Sequence, residues 1–81
     1  MRYYFDMIDK NGITPDTEGL ELPSLKSVQQ EAARSLADLA RDAVMTGDGK
    51  DTHEMAIEVR DDVGAVLHAK FSFEIGHPRK R

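Results

Sequence analysis

The sequence predicts an α+β domain. One helix packs on a three- or four-stranded antiparallel sheet, in the order β-(β)-α-β-β. Three observations carry this expectation. Leu25 to Thr46 is one long amphipathic stretch. Tyr3 to Ile8, ahead of it, alternates apolar and mixed positions at a period of two. Behind it, two more alternating segments flank Asp61-Asp62-Val63-Gly64.

The first strand, Tyr3 to Ile8, is rich in aromatic and β-prone residues. Phe5 and Met7 lie on its more apolar side, together with Tyr3, and are expected to turn inward. Tyr4 and Asp6 then face solvent or a partner. Asn11-Gly12 is the strongest hairpin signal in the chain, because both residues tolerate positive φ. Pro15 lacks the N–H that a central strand needs. A returning strand is therefore short or at an edge, at Gly19 to Leu22. The competing reading leaves Lys10 to Pro23 as an acidic loop.

The helix starts after Pro23. Ser24 can serve as N-cap by accepting a bond from an early helical N–H. Ser27 and Gln30 also have capping-box spacing, which would begin the helix three residues later. Leu25, Val28, Ala32, Leu36, Leu39, Ala40 and Ala43 recur at three- and four-residue steps and form the stripe facing the sheet. Ala33, Ala37 and Val44 lie beside that stripe. They are expected to broaden the core contact, with close approach of another helix as the alternative. Gly47 can end the helix in the left-handed region, with Asp48 to Asp51 as a polar connection.

The last two strands form a hairpin. Met55, Ile57 and Val59 alternate with Glu54, Glu58 and Arg60. Leu67, Ala69, Phe71, Phe73 and Ile75 alternate with His68, Lys70, Ser72 and Glu74. A three-residue loop, Asp62-Val63-Gly64, sets Asp61 opposite Ala65 and puts Gly64 where positive φ is needed. Val59 then meets Leu67, Ile57 meets Ala69, Met55 meets Phe71, and Glu58 meets His68. A slip of one residue would oppose apolar to polar positions. A slip of two keeps the faces matched and is the real competitor, with Ile57 opposite Leu67.

Size and charge narrow the function classes. The 81 residues fit one small domain, taken as 1–76 with 77–81 as a flexible basic tail. Such a domain buries only about 60% of its unfolded surface. Disulfides, metals and oligomerisation are the common remedies. Cysteine is absent, so the first is closed to this chain. The net charge of −4 opposes non-specific attraction to nucleic acid. No apolar run approaches the roughly 20 residues of a membrane span, and the N-terminal segment is too short in apolar length for a signal peptide. The expected setting is soluble and cytoplasmic.

No residue set carries a catalytic, cofactor-binding or metal-ligating assignment. Residues 1–22 hold Asp6, Asp9, Asp16, Glu18 and Glu21 against Arg2 and Lys10. A calcium loop requires Gly at its sixth position and Glu at its twelfth. Counted from Asp9, Gly12 is fourth and Leu20 twelfth. The register fails, and a solvated turn is the better reading. His53, His68 and His77 lack zinc-site spacing. Glu58 and His68 could form an acid–base pair, but a surface cross-strand pair is the better reading. Ser24, Ser27, Ser35 and Ser72 lack the context of a nucleophile elbow. Arg79, Lys80 and Arg81 read as a solubilising end.

Three segments carry a family resemblance: Arg2-Tyr3-Tyr4-Phe5-Asp6, Asp16 to Pro23, and Ile57 to Gly64, with an Ala-rich helix between. Together they resemble a family of small bacterial proteins, numerous in rhizobial genomes and catalogued as a domain of unknown function. The resemblance spans nearly the whole chain up to Ile75. It implies a free-standing small cytoplasmic protein and brings no catalytic residues. The passage from Gly19 into the helix is also similar to HicB-type antitoxins, although no DNA-binding segment follows it. The expected function is a small non-enzymatic protein-interaction module that forms a homo-oligomer. The alternative is an antitoxin-like regulator that occludes a toxin or nuclease partner.

Overall fold

The structure, a computed structural model, describes residues 1–45, 52–76 and 78–79. The chain runs β1 (Arg2–Asp9), β2 (Gly12–Thr14), β3 (Leu20–Glu21), α1 (Leu25–Met45), β4 (Thr52–Arg60) and β5 (Ala65–Glu74). All strand pairings are antiparallel. The main path across the sheet is β2-β1-β4-β5, and β3 pairs with β1 beyond the end of β2. The first strand of the chain therefore lies beside the fourth, and one helix covers one face of the sheet. This is the α+β architecture expected, with one strand more.

The N-terminal hairpin is tighter than its sequence suggested. Asp9 pairs directly with Gly12, so Lys10 and Asn11 form the turn. Asn11 N–H donates to Asp9 Oδ1 at 2.8 Å. Among the described residues no non-glycine has positive φ, so in this turn Gly12 takes it, at +122°, and Asn11 does not. The returning strand is Gly12–Thr14, and it ends where Pro15 would break the ladder. Leu20–Glu21, inside the segment expected to return, pairs instead with Arg2 and Tyr3 at the other end of β1. Both readings of the acidic segment are thus partly met: two short strands, with a loop between them.

Ser24 caps the helix. Ser27 N–H donates to Ser24 Oγ at 3.2 Å, and Ser24 N–H donates to Ser27 Oγ at 3.2 Å. This is the reciprocity of a capping box with serine at both ends, so the later start at Ser27 is not used. Val28, Ala32 and Leu36 are buried, and Leu39, Ala40 and Ala43 are half-buried against the core. Leu25, expected in the stripe, is 49% exposed because it occupies the first helical position. Ala33, Ala37 and Val44 are exposed and do not broaden the core. On the outer side, Arg34 holds Glu31 with bonds of 2.7 and 2.9 Å. Gly47 and the connection through Asp51 lie outside the described residues.

The core joins Val28, Ala32 and Leu36 to Tyr3, Met55, Ile57 and Val59. Ile57, Val28 and Val59 are its largest fully buried side chains. Each contributes roughly 1.5–3 kcal/mol on leaving water. The helix lies over β4 and β5, and this placement explains the fate of the inward face of β1. Phe5 is only half-buried, and Met7, expected inside, is 38% exposed. Met7 does face the core side, opposite Ile57, but the helix does not reach far enough to cover it.

The C-terminal hairpin has the expected register. Val59 pairs with Leu67, Ile57 with Ala69, Met55 with Phe71, and Glu58 with His68. The two-residue slip is not adopted. The loop end differs in one respect: Arg60, not Asp61, pairs with Ala65, across an irregularity that leaves Val66 as the extra residue. Asp61 belongs to the turn. Its Oδ1 accepts from Val63 N–H at 2.8 Å and Gly64 N–H at 3.1 Å, while its own N–H donates to Gly64 O at 3.0 Å. Gly64 has φ +155°.

Candidate functional site

Two features of the sheet stand out: a polar cluster on its uncovered face and the bare edge of β5. The cluster grows from the β1–β4 register. Tyr4 and Arg60 are cross-strand partners, and Asp6 lies one step diagonally away opposite Glu58. The Arg60 guanidinium sits 4.6 Å from the Tyr4 ring centre, a cation–π distance. Its Nε donates to Asp6 Oδ2 at 2.9 Å, and its Nη2 donates to the Asp16 carbonyl at 3.0 Å. Asp6 also accepts the Asp16 N–H, at 2.9 Å through Oδ1.

Asp16 fills a gap in the sheet. Between the pairings with β2 and β3, the middle of β1 has no neighbouring strand on that side. The Phe5 N–H points into the gap and donates to Asp16 Oδ2 at 3.1 Å. Asp16 Oδ1 accepts from the N–H groups of Glu18 and Gly19, each at 3.1 Å. Burial pushes the Asp16 carboxyl up. The N–H groups of Phe5, Gly19 and Glu18, together with the Arg60 charge, outweigh that and hold it below its ordinary range. Gly19 closes the turn at φ +74°, and a Cβ there would lie 2.9 Å from both Tyr4 Cε2 and Arg2 Cγ.

Chemically, this cluster is a buckle. Each oxygen of the Asp6 and Asp16 carboxylates already accepts from a backbone N–H or from Arg60. A carboxylate held below its ordinary range is a weak base near neutral pH. A depression of about 340 Å³ adjoins the loop, lined by Phe5, Met7 and residues 14–19. Its floor is the part of β1 that the helix leaves uncovered.

The remaining sequence candidates are dispersed. His68 is exposed on β5 opposite Glu58, beside a depression of about 430 Å³. His53 lies on the covered face, with its ring centre 6.2 Å from that of Phe73. His77, Lys80 and Arg81 lie outside the described residues. Ser24 and Ser27 are occupied in the helix cap, and Ser35 donates to Glu31 at 3.4 Å. Asp9 is used in the first turn. Among the described residues, no group of three or more His, Cys, Asp or Glu is placed to hold a metal ion.

Sequence reasoning counted Asp16 only as one more acid in a loop. A signal for its role was present: in Asp16-Thr17-Glu18-Gly19, an Asp stands two and three residues ahead of the N–H groups it binds, with a glycine closing the turn. Arg60 had no such signal, because its partners depend on the pairing of β1 with β4.

The second feature is the β5 edge. Nine of its ten residues, all but Val66, pair with β4 on one side, and no described strand lies on the other. Along the uncovered face this edge shows His68, Lys70, Ser72 and Glu74, all exposed. Along the helix side it shows Ala69, Phe71 and Phe73, all half-buried. Phe71 and Phe73 are stacked, with ring centres 6.2 Å apart.

No helix among the described residues is long and apolar enough to cross a membrane. A family described as a domain of unknown function, DUF6894, matches residues 2–72, and the chain belongs to it. Neither a curated protein nor a solved structure matches the chain.

Proposed function

We propose that this member of a family without an assigned activity is a small, non-enzymatic protein-interaction module of the cytoplasm that works as a homo-oligomer. The observation that carries the reading is the outer edge of the ten-residue β5, which pairs with no strand among the described residues. A long edge offers a row of backbone donors and acceptors to another chain. The small core adds to the argument. Among the described residues, seven buried side chains from one helix and two strands form it, and a domain of this size gains from association. The titratable groups support the same reading, since Asp6, Asp16 and Arg60 are bound to one another and to the backbone. Nothing among the described residues or in the family match favours the antitoxin-like alternative.

Analytical sedimentation of the full chain tests the reading. A dimer or larger species is expected at micromolar concentration. A single monomeric species up to near-millimolar concentration would overturn it.

A further inference from the structure

We infer that the partner of the β5 edge is the β5 edge of a second copy, paired antiparallel about a two-fold axis at Ser72. This rests on the self-association proposed above and names the surface and the register. An antiparallel pair of identical strands joins positions whose numbers add to a constant. In a continuous sheet with both helices on one side, that constant must be even, so that apolar positions meet apolar ones. With the axis at Ser72, Lys70 of each copy faces Glu74 of the other. Phe71 faces Phe73, Ala69 faces Ile75, and Ser72 faces itself.

The charges select this register among its neighbours. An axis at Lys70 sets two ammonium groups side by side, which is unfavourable for directly opposed residues. An axis at Phe71 sets Lys70 opposite Ser72 and leaves Glu74 with His68. Only the axis at Ser72 forms two fully charged cross-strand pairs. It also forms two aromatic cross-strand pairs from rings that are half-buried in the single chain, and it covers Ile75, which is 38% exposed there. A lysine in an edge strand commonly guards against such pairing. Here the same strand carries the complementary carboxylate four residues away, so that in this register the guard becomes a selector for its own kind. The joined sheet runs β2-β1-β4-β5 and then the same strands in reverse, and the buckled β1 edges lie at its two ends.

Ser72→Cys gives the test, because the chain has no other cysteine. On the axis, the two Cα atoms would be about 4.5–5.5 Å apart, within the span of a disulfide. Under a mild oxidant such as diamide, S72C is expected to form a covalent dimer at micromolar concentration. H68C, which would face Gly76, should stay uncrosslinked. A charge exchange supplies an independent readout. K70E and E74K should each weaken dimerisation by roughly tenfold, since each turns two attractive pairs into repulsive ones. The double variant K70E/E74K should restore the dimer to within about threefold of the wild type. Circular dichroism keeps loss of fold apart from loss of dimer. A dimer that neither crosslinks through S72C nor responds to the charge exchange would overturn this surface while leaving self-association standing. Crosslinking through H68C instead would overturn the register. A monomer throughout would overturn both.

Discussion

The two edges of this sheet are handled in opposite ways. On the β1 side, no stretch of backbone longer than a few residues is left open. Three residues of β2 cover one end, two of β3 cover the other, and the Asp16 carboxylate takes the Phe5 N–H between them. Pro15 stands in the intervening loop and has no donor to offer. On the β5 side, Leu67 to Glu74 run without a bulge and without a proline. Aggregation through edges threatens both sides alike, and this contrast between a closed edge and an open one is what the proposed interface rests on. The sequence cost of closure is visible: Lys10 to Pro23 serves the β1 edge almost entirely.

Breaking the closed edge should have the largest effect. Asp16→Ala leaves the Phe5, Glu18 and Gly19 N–H groups without their acceptor, at a cost of about 2–3 kcal/mol, the range for bonds to a charged group. For a domain of this size, that lowers the melting temperature by roughly 10–20 °C. Melts should be compared at one fixed protein concentration, because the proposed association would add stability to both chains. The effect should also depend on pH. The folded state holds the Asp16 carboxyl below its ordinary value of 3.8. Its contribution is therefore complete above about pH 4 and fades as the pH falls through the lower, folded-state value. The stability gap between wild type and Asp16→Ala should narrow on acidification below pH 4. A gap that stays constant down to strong acid would show that the charge of Asp16 is not what holds the buckle.

Gly19→Ala should do less, through backbone geometry alone. The residue sits at φ +74° with Tyr4 and Arg2 side chains and the Tyr3 carbonyl within about 3 Å of any added Cβ. The strain is worth about 1–2 kcal/mol. The Arg2 end of the contact is a flexible side chain; the Tyr3 carbonyl is not. Chemical denaturation should show a lower midpoint with an unchanged slope. An unchanged midpoint would mean that the loop between Pro15 and β3 can shift without loss.

These two substitutions also mark where the sequence was legible. The helix, its Ser24 cap and the C-terminal register could be read because each depends on residues close in the chain: a serine three residues from its partner, or a period of two facing a period of two. The family resemblance was readable for the same reason, from contiguous segments. The side-by-side placement of β1 and β4 could not be read, because nothing in Tyr4 or Arg60 names the other across such a separation. Met7 was misplaced for a related reason. Periodicity assigns a side chain to a face, but whether the helix reaches that far along the face is a packing matter. The Asp61 side chain, which takes the loop N–H groups for itself, similarly shortened the expected ladder by one pair.

The solvent-facing positions of the open edge should be nearly silent toward substitution in the folding of the single chain. His68 is exposed on β5 opposite Glu58. An exposed cross-strand pair contributes well under about 1 kcal/mol, so His68→Ala should move the melting temperature by no more than a few degrees. With the axis at Ser72, His68 faces Gly76 of the other copy and donates nothing essential to the dimer either. The variant therefore distinguishes two views of this edge. If β5 is a selective interface centred at Ser72, His68→Ala leaves both stability and dimerisation close to wild type. If His68 and Glu58 form a working pair, or if the axis lies nearer the hairpin, the same truncation weakens the dimer or the fold by far more than its exposure accounts for. Sedimentation and thermal melts on this one variant, run side by side with Asp16→Ala, would measure how unequal the two edges are.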